Sequence, residues 1–244
     1  MKNAKLAIII NNLGVPKVLL RYIIMNFLDM ATISKLILTV KQMNVLDDFS
    51  KEFLTRAKFG FNYNCENGDI NVAKWLYYQG KVDIHAQYEY AFRLCCQNGH
   101  LTVAKWLYSL GGVNIHTMND DAFTRTCING HLPLAQWLYS LGGVNIYADN
   151  GYAFRLSCGN GHLTVVKWLH GLRTIHPLDV NDCDVSAFTL SCFNGQLDVA
   201  QWLYSLGIVD IYANYNETYM YTTDKKTRKW LKQIKNDSIK QKMN

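Results

Sequence analysis

Apolar and polar residues recur along this chain with a helical period, and one apolar stripe returns many times. In residues 101–110, Val103, Trp106, Leu107 and Leu110 stand at i, i+3, i+4 and i+7, which puts them on one face of a helix. Gly111 and Gly112 follow, and either can take the left-handed conformation that stops a helix. Before the stripe, residues 91–96 fit a short helix that ends at Asn98-Gly99, a turn signal. Residues 113–115 and 144–146, both Val-Asn-Ile, then leave as extended chain. The pattern predicts a unit of two helices and a turn.

The unit repeats. Asn-Gly occurs at 67–68, 98–99, 129–130, 160–161 and 194–195, in steps of 31, 31, 31 and 34 residues. Trp75, Trp106, Trp137, Trp168 and Trp202 keep the same steps. Starting at His100 and His131, two copies read HLTVAKWLYSLGGVNI and HLPLAQWLYSLGGVNI and differ at three positions. Repetition at such a period means a stack of like units, each burying its apolar face against the next.

These residues resemble the ankyrin repeat. The core of that signature, Gly-His-Leu followed by aliphatics and a Leu-rich helix, is matched by GHLTVAKWL at 99–107, GHLPLAQWL at 130–138 and GHLTVVKWL at 161–169. GDINVAKWL at 68–76 and GQLDVAQWL at 195–203 match more loosely. The resemblance implies an all-α solenoid of paired antiparallel helices with short hairpin-like connections. Its repeats are expected at 57–87, 88–118, 119–149, 150–183 and 184–214, with a truncated sixth copy at 215–236 as a cap, closed by Trp230-Leu231, and a basic tail at 237–244. The family's Thr-Pro-Leu-His, whose side chains brace the turn, is absent. Ala91-Phe92, Ala122-Phe123, Ala153-Phe154 and Ala187-Phe188 stand there instead. A 31-residue step where 33 is usual implies a short projecting hairpin. Together with Trp-Leu-Tyr-Ser-Leu-Gly in the second helix, these features look most like the ankyrin proteins of giant DNA viruses of amoebae, which implies a partner in a host cell.

Residues 1–56 do not repeat, and a small helical N-terminal segment is expected there. Its stretch 15–29, VPKVLLRYIIMNFLD, resembles the opening of an F-box. Pro16 is placed to start a helix, and Leu19, Leu20, Ile23, Ile24 and Phe27 form its apolar face, with Leu28 next to it. The resemblance implies docking of a Skp-type adaptor subunit of a cullin–RING ubiquitin ligase through Pro16, Leu19, Leu20, Ile23, Ile24 and Leu28. Val18 stands where the family has Glu, and Met43 where it often has Trp. The alternative is a plain helical cap over the first repeat.

Composition excludes several classes. With 49% hydrophobic and 18% charged residues, the chain has the make-up of a folded domain rather than a disordered one. No run approaches the ~20 apolar residues of a membrane helix, and nothing reads as a secretory signal. An intracellular, cytoplasmic and monomeric protein with reduced cysteines is expected, with no membrane partner. The net charge of +6 is uneven. Residues 57–222 carry 9 Lys/Arg against 13 Asp/Glu, whereas residues 223–244 carry 8 against 2. A lysine run alone is a weak sign of nucleic-acid or anionic-surface binding, so nucleic acid stands as the alternative partner rather than the expected one; a purely structural component is the other alternative.

The candidate chemistry is bland. Cys65, Cys96, Cys127, Cys158 and Cys192 share one register position, and His100, His131 and His162 lie four residues after three of them. Zinc needs four ligands within ~2.3 Å, while stacked helices lie ~8–10 Å apart. Small buried core residues are the expected reading, with the histidines bonded to backbone in the loop before the second helix. The Trp ladder shares the stripe with Leu and Val, so it reads as core. No catalytic, cofactor or metal constellation is present, and no cofactor or enzymatic activity is expected. Positions that vary from copy to copy mark the surface expected to hold a partner protein: Gln87, Tyr88 and Tyr90; Met118, Asn119 and Asp121; Asp149, Asn150 and Tyr152; and Tyr215. Tyrosine supplies large contact area at low entropic cost.

Overall fold

The computed structural model describes residues 59–78, 82–175, 181–207 and 215–243. The N-terminal segment, including every F-box-like docking residue from Pro16 to Leu28, lies outside them. Among the described residues there are twelve helices and no strand. They are α1 (Phe61–Glu66), α2 (Ile70–Tyr78), α3 (Ala86–Gln97), α4 (Leu101–Ser109), α5 (Thr117–Ile128), α6 (Leu132–Ser140), α7 (Ala148–Gly159), α8 (Leu163–Ile175), α9 (Asn181–Phe193), α10 (Leu197–Ser205), α11 (Tyr215–Tyr221) and α12 (Lys225–Met243). The chain divides into two units, Met1–Cys95 with Thr102–Val113, and Cys96–Leu101 with Asn114–Asn244.

Within each unit the stripe residues pack as their spacing predicts. In the first, the Trp106 ring lies 6.1 Å from Phe61 of α1 and meets Tyr77 of α2 edge to face at 5.9 Å. In the second, Trp168 holds the same relation to Phe123 of α5 and Tyr139 of α6, at 6.1 and 5.8 Å. Trp230 of α12 repeats it against Phe188 of α9 and Tyr204 of α10, at 6.2 and 5.8 Å. Each indole therefore plugs the gap between the two helices of the preceding pair, where an edge-to-face contact adds to the area it buries. Leu231, next to Trp230 in α12, is buried. The α12 helix then continues through the lysine-rich end to Met243.

The Asn-Gly turns are made by left-handed glycines over which the next pair lays a side chain. Gly130 has φ +80° and lies under the His162 ring, Gly99 (φ +79°) lies under His131, and Gly161 (φ +81°) lies under Gln196. A Cβ on Gly99 would come within 2.5 Å of His131 Nδ1. The opposite ring nitrogen, Nε2, bonds the Gln97 carbonyl at 3.0 Å. His131 and His162, the latter bonded to the Ile128 backbone, thus satisfy loop backbone. Asn160 and Asn194 extend the same scheme, donating to the carbonyls of Ile128 and Gly159, each at 2.8 Å.

The longer step of 34 residues has its own solution. The α8 helix runs on to Ile175, and Arg173 occupies the place held by Gly142 in the previous copy. Its guanidinium is buried, donates to Asp184 of α9 at 2.6 Å and lies 4.5 Å from the Phe154 ring centre. A buried ion pair replaces the Gly-Gly connection.

Candidate functional site: the tip turns

The Val-Asn-Ile stretches leave the second helices as chain that is neither helix nor strand. Ile84, Ile115 and Ile146 are buried plugs, and the chain then makes one turn of left-handed helix before the right-handed first helix begins. In the first unit this turn is Gln87, Tyr88 and Glu89, at φ +54°, +56° and +59°. In the second unit it is Met118, Asn119 and Asp120 (φ +55°, +59° and +61°) and again Asp149, Asn150 and Gly151 (φ +50°, +57° and +66°). A run of non-glycine residues at positive φ is strained, at roughly 1–2 kcal/mol per residue, and survives only where neighbouring contacts over-determine it.

Those contacts are visible. Glu89 is buried, and its carboxylate accepts from His85 Nδ1 at 3.0 Å. One register later Asp120 is buried and accepts from His116 Nδ1 at 2.6 Å, while its second oxygen accepts from the Asn145 backbone N–H at 3.0 Å. Arg93 binds the first turn from its other side, donating Nε to the Tyr88 carbonyl at 2.8 Å and a terminal nitrogen to that of Gln87 at 3.2 Å. Arg155 does the same to the Asp149 carbonyl at 3.1 Å. In the third copy Tyr147 and Gly151 replace the His–acid pair. Glycine takes positive φ without strain, so this turn carries two strained residues, Asp149 and Asn150, instead of three. Sequence reasoning missed Glu89, Asp120 and Arg93. The signal was the co-occurrence of His at 85 and 116 with an acid four residues on.

With the backbone fixed from behind, the variable side chains point outward. Tyr88 is 74% exposed and Met118 57% exposed, and Gln87, Tyr90, Asn119, Asp149, Asn150 and Tyr152 are also on the surface. In the second unit Asn119 donates to Asp149 at 3.2 Å, so two successive tips share a bond. Asp121 is half-buried and held by Arg125 at 2.7 Å. Tyr215 is a correction. It belongs to α11 rather than to an exposed tip, is only 9% exposed, and stacks on Tyr219 at 5.7 Å with the Lys235 ammonium 4.0 Å above its ring. Covered by α12, it has no face left for a partner, and burial pushes its hydroxyl pKa up.

The cysteines lie apart from the tips. Cys65, Cys96, Cys127, Cys158 and Cys192 are buried. Burial pushes the Cys192 thiol up to about 12 and raises those of Cys65 and Cys127 as well, so these thiols are neutral core atoms and poor nucleophiles. Among the described residues no three His, Cys, Asp or Glu side chains converge as a metal site would require.

A family model for ankyrin repeats occurring in many copies matches residues 152–203. The solved human ASB11 ankyrin repeat domain is similar at 17% identity and a TM-score of 0.48, over 60% of this chain and 68% of that one. No curated protein matches the sequence. Residues 152–203 are thus similar to ankyrin repeats, and the helices on either side of them are likewise paired.

Proposed function

We propose that this chain is a non-enzymatic scaffold that holds a partner protein of a host cell against the tips of its repeats. The observation that carries the reading is the pairing of outward, variable side chains with a rigid, strained backbone. Tyr88 and Met118 are presented on turns locked by Glu89, Arg93 and Asp120, and an ordered surface binds with less entropic loss. The test is affinity capture from expressing cells with the intact chain and with Tyr88→Ala/Met118→Ala/Tyr152→Ala, followed by mass spectrometry. A partner enriched by the first and lost from the second, with melting unchanged, supports the reading. Equal capture by both overturns it.

The finer part of the proposal is that residues 14–43 dock a Skp-type linker, which would make the scaffold a substrate adaptor of a cullin–RING ubiquitin ligase. The Pro16-Leu19-Leu20-Ile23-Ile24-Leu28 spacing supports it. An F-box leaves these side chains for the linker to bury, whereas a cap buries them in its own chain. Leu19→Lys/Ile23→Lys should abolish co-purification with a recombinant Skp-type subunit and leave the melting of the repeats unchanged. No co-purification of the unmodified chain, together with unfolding of the double variant by roughly 2–5 kcal/mol per residue, would establish the cap instead.

A further inference from the structure

We infer that the outer face of α12 is a docking surface for the phosphodiester backbone of a nucleic acid. This surface is separate from the repeat tips and does not rest on the reading above. The lysine run of the sequence becomes a stripe once it is folded. Lys225, Arg228, Lys229, Lys232 and Lys235 stand at i, i+3, i+4, i+7 and i+10 of one continuous helix, a span of about 15 Å. The opposite side, with Thr227, Leu231 and Ile234, is buried in the fold.

Three features set the stripe apart from an ordinary solvated face. Elsewhere in the second unit Arg125 and Arg173 have carboxylate partners, Asp121 and Asp184. Among the described residues no carboxylate pairs with a cation of the stripe. Asp224 is spent on the helix start, where its Oδ2 accepts from the Thr227 N–H and hydroxyl at 2.8 and 2.9 Å, and Asp237 falls off the stripe. Second, like charges four residues apart repel within a helix, so Lys225 with Lys229 and Arg228 with Lys232 are a standing cost that a bound polyanion removes. Third, part of the stripe is ordered in advance. Arg228 and Lys232 lie 5.0 and 5.5 Å from the Tyr219 ring centre, and Arg228 also donates to the Tyr219 carbonyl at 3.3 Å.

The geometry favours nucleic acid over a membrane. From Thr227 to Ile234 the apolar side of α12 is already buried, so beside the stripe it offers no face to insert among acyl chains. A protein partner would want an apolar anchor at the centre of its contact, and the stripe offers only cations. A row of cations with no base-reading side chains suits sequence-independent contact with phosphates.

The full chain should shift a fluorescent 30-base-pair DNA duplex at low salt, and binding should weaken steeply as salt rises. With five cations engaged, log K against log salt is expected to have a slope of about −4.5, and Lys225→Gln/Lys229→Gln should bring it to about −2.7. Both lysines are exposed, and glutamine keeps helix propensity, so the variant should fold and melt as the parent does. Lys232→Gln serves as an independent second variant and should lower the slope by about one. No shift at low salt, an unchanged slope in both variants, or binding to phosphatidylserine vesicles without binding to the duplex would each overturn the inference.

Discussion

His116 Nδ1 and Asp120 Oδ1 lie 2.6 Å apart, and between them the backbone runs left-handed through Met118 and Asn119. The bond bridges the strained turn, from the residue two places before it to the last residue in it. Because the other Asp120 oxygen accepts from the Asn145 N–H, the carboxylate ties one tip to the connection that follows it. The His116 ring in turn covers Gly143, where a Cβ would lie 3.0 Å from the ring. One acid therefore organises three pieces of backbone.

Asp120→Ala takes the acceptor from the part-buried bonds to the Asn145 N–H and to His116, so a loss of about 1.5–3 kcal/mol is expected, the range for hydrogen bonds to an ionised group. Asp120→Asn keeps one carbonyl oxygen to accept and should lose less. Chemical denaturation of the two variants beside the parent measures both. Equal and negligible losses would show that the turn does not depend on this carboxylate.

Gly130 and Gly142 separate backbone strain from crowding. Both have positive φ, +80° and +89°. Nothing lies within 4 Å of a Cβ built on Gly142, whereas one on Gly130 would overlap the His162 ring. Gly142→Ala should therefore cost about 1–2 kcal/mol, the left-handed penalty alone. Gly130→Ala should cost clearly more, because the ring must also move. Thermal melts of the pair decide it; equal losses would mean that the imidazole shifts freely.

The periodic part of this molecule was legible before folding. The Val103-Trp106-Leu107 stripe, the cysteine register and the Asn-Gly-His turns all follow from side-chain volume, helix period and the conformational freedom of glycine. They repeat, so each copy corroborates the others. The tips were not legible, because no local propensity favours left-handed Gln87 or Met118. That conformation is imposed by hydrogen bonds from His85, Arg93 and Asn145, which meet the turns only after folding. Tyr215 was misplaced for a related reason. Its register number suggested a tip, but the long α12 helix covers it.

Arg173 and Asp184 should behave as a buried pair. Arg173→Ala strands the carboxylate in a place with little water, and a loss of about 3–5 kcal/mol is expected. Replacing both, as Arg173→Met/Asp184→Leu, removes the charge and fills the volume, so most of the stability should return. Urea melts of the single and double variants form the comparison. If the double variant is as unstable as the single one, the pair does more than satisfy its own charges.

His162 gives the chain a pH dependence with a definite sign. Burial is the main cause that lowers its pKa below 6.5, with the nearby His131 acting in the same direction and a bond to the Ile128 backbone opposing them. The folded chain thus holds this ring neutral at a pH where the unfolded chain protonates it. Its contribution is complete above about 6.5 and is lost progressively as the pH falls through the lower folded value. His162→Gln removes the titration, and glutamine already fills the equivalent place, since Gln196 lies over Gly161. The other histidines are common to both proteins and cancel in the comparison. Melting temperatures measured from pH 7.5 to pH 5 should therefore fall more steeply for the parent than for the variant, and parallel curves would show that His162 is protonated as readily in the fold as outside it.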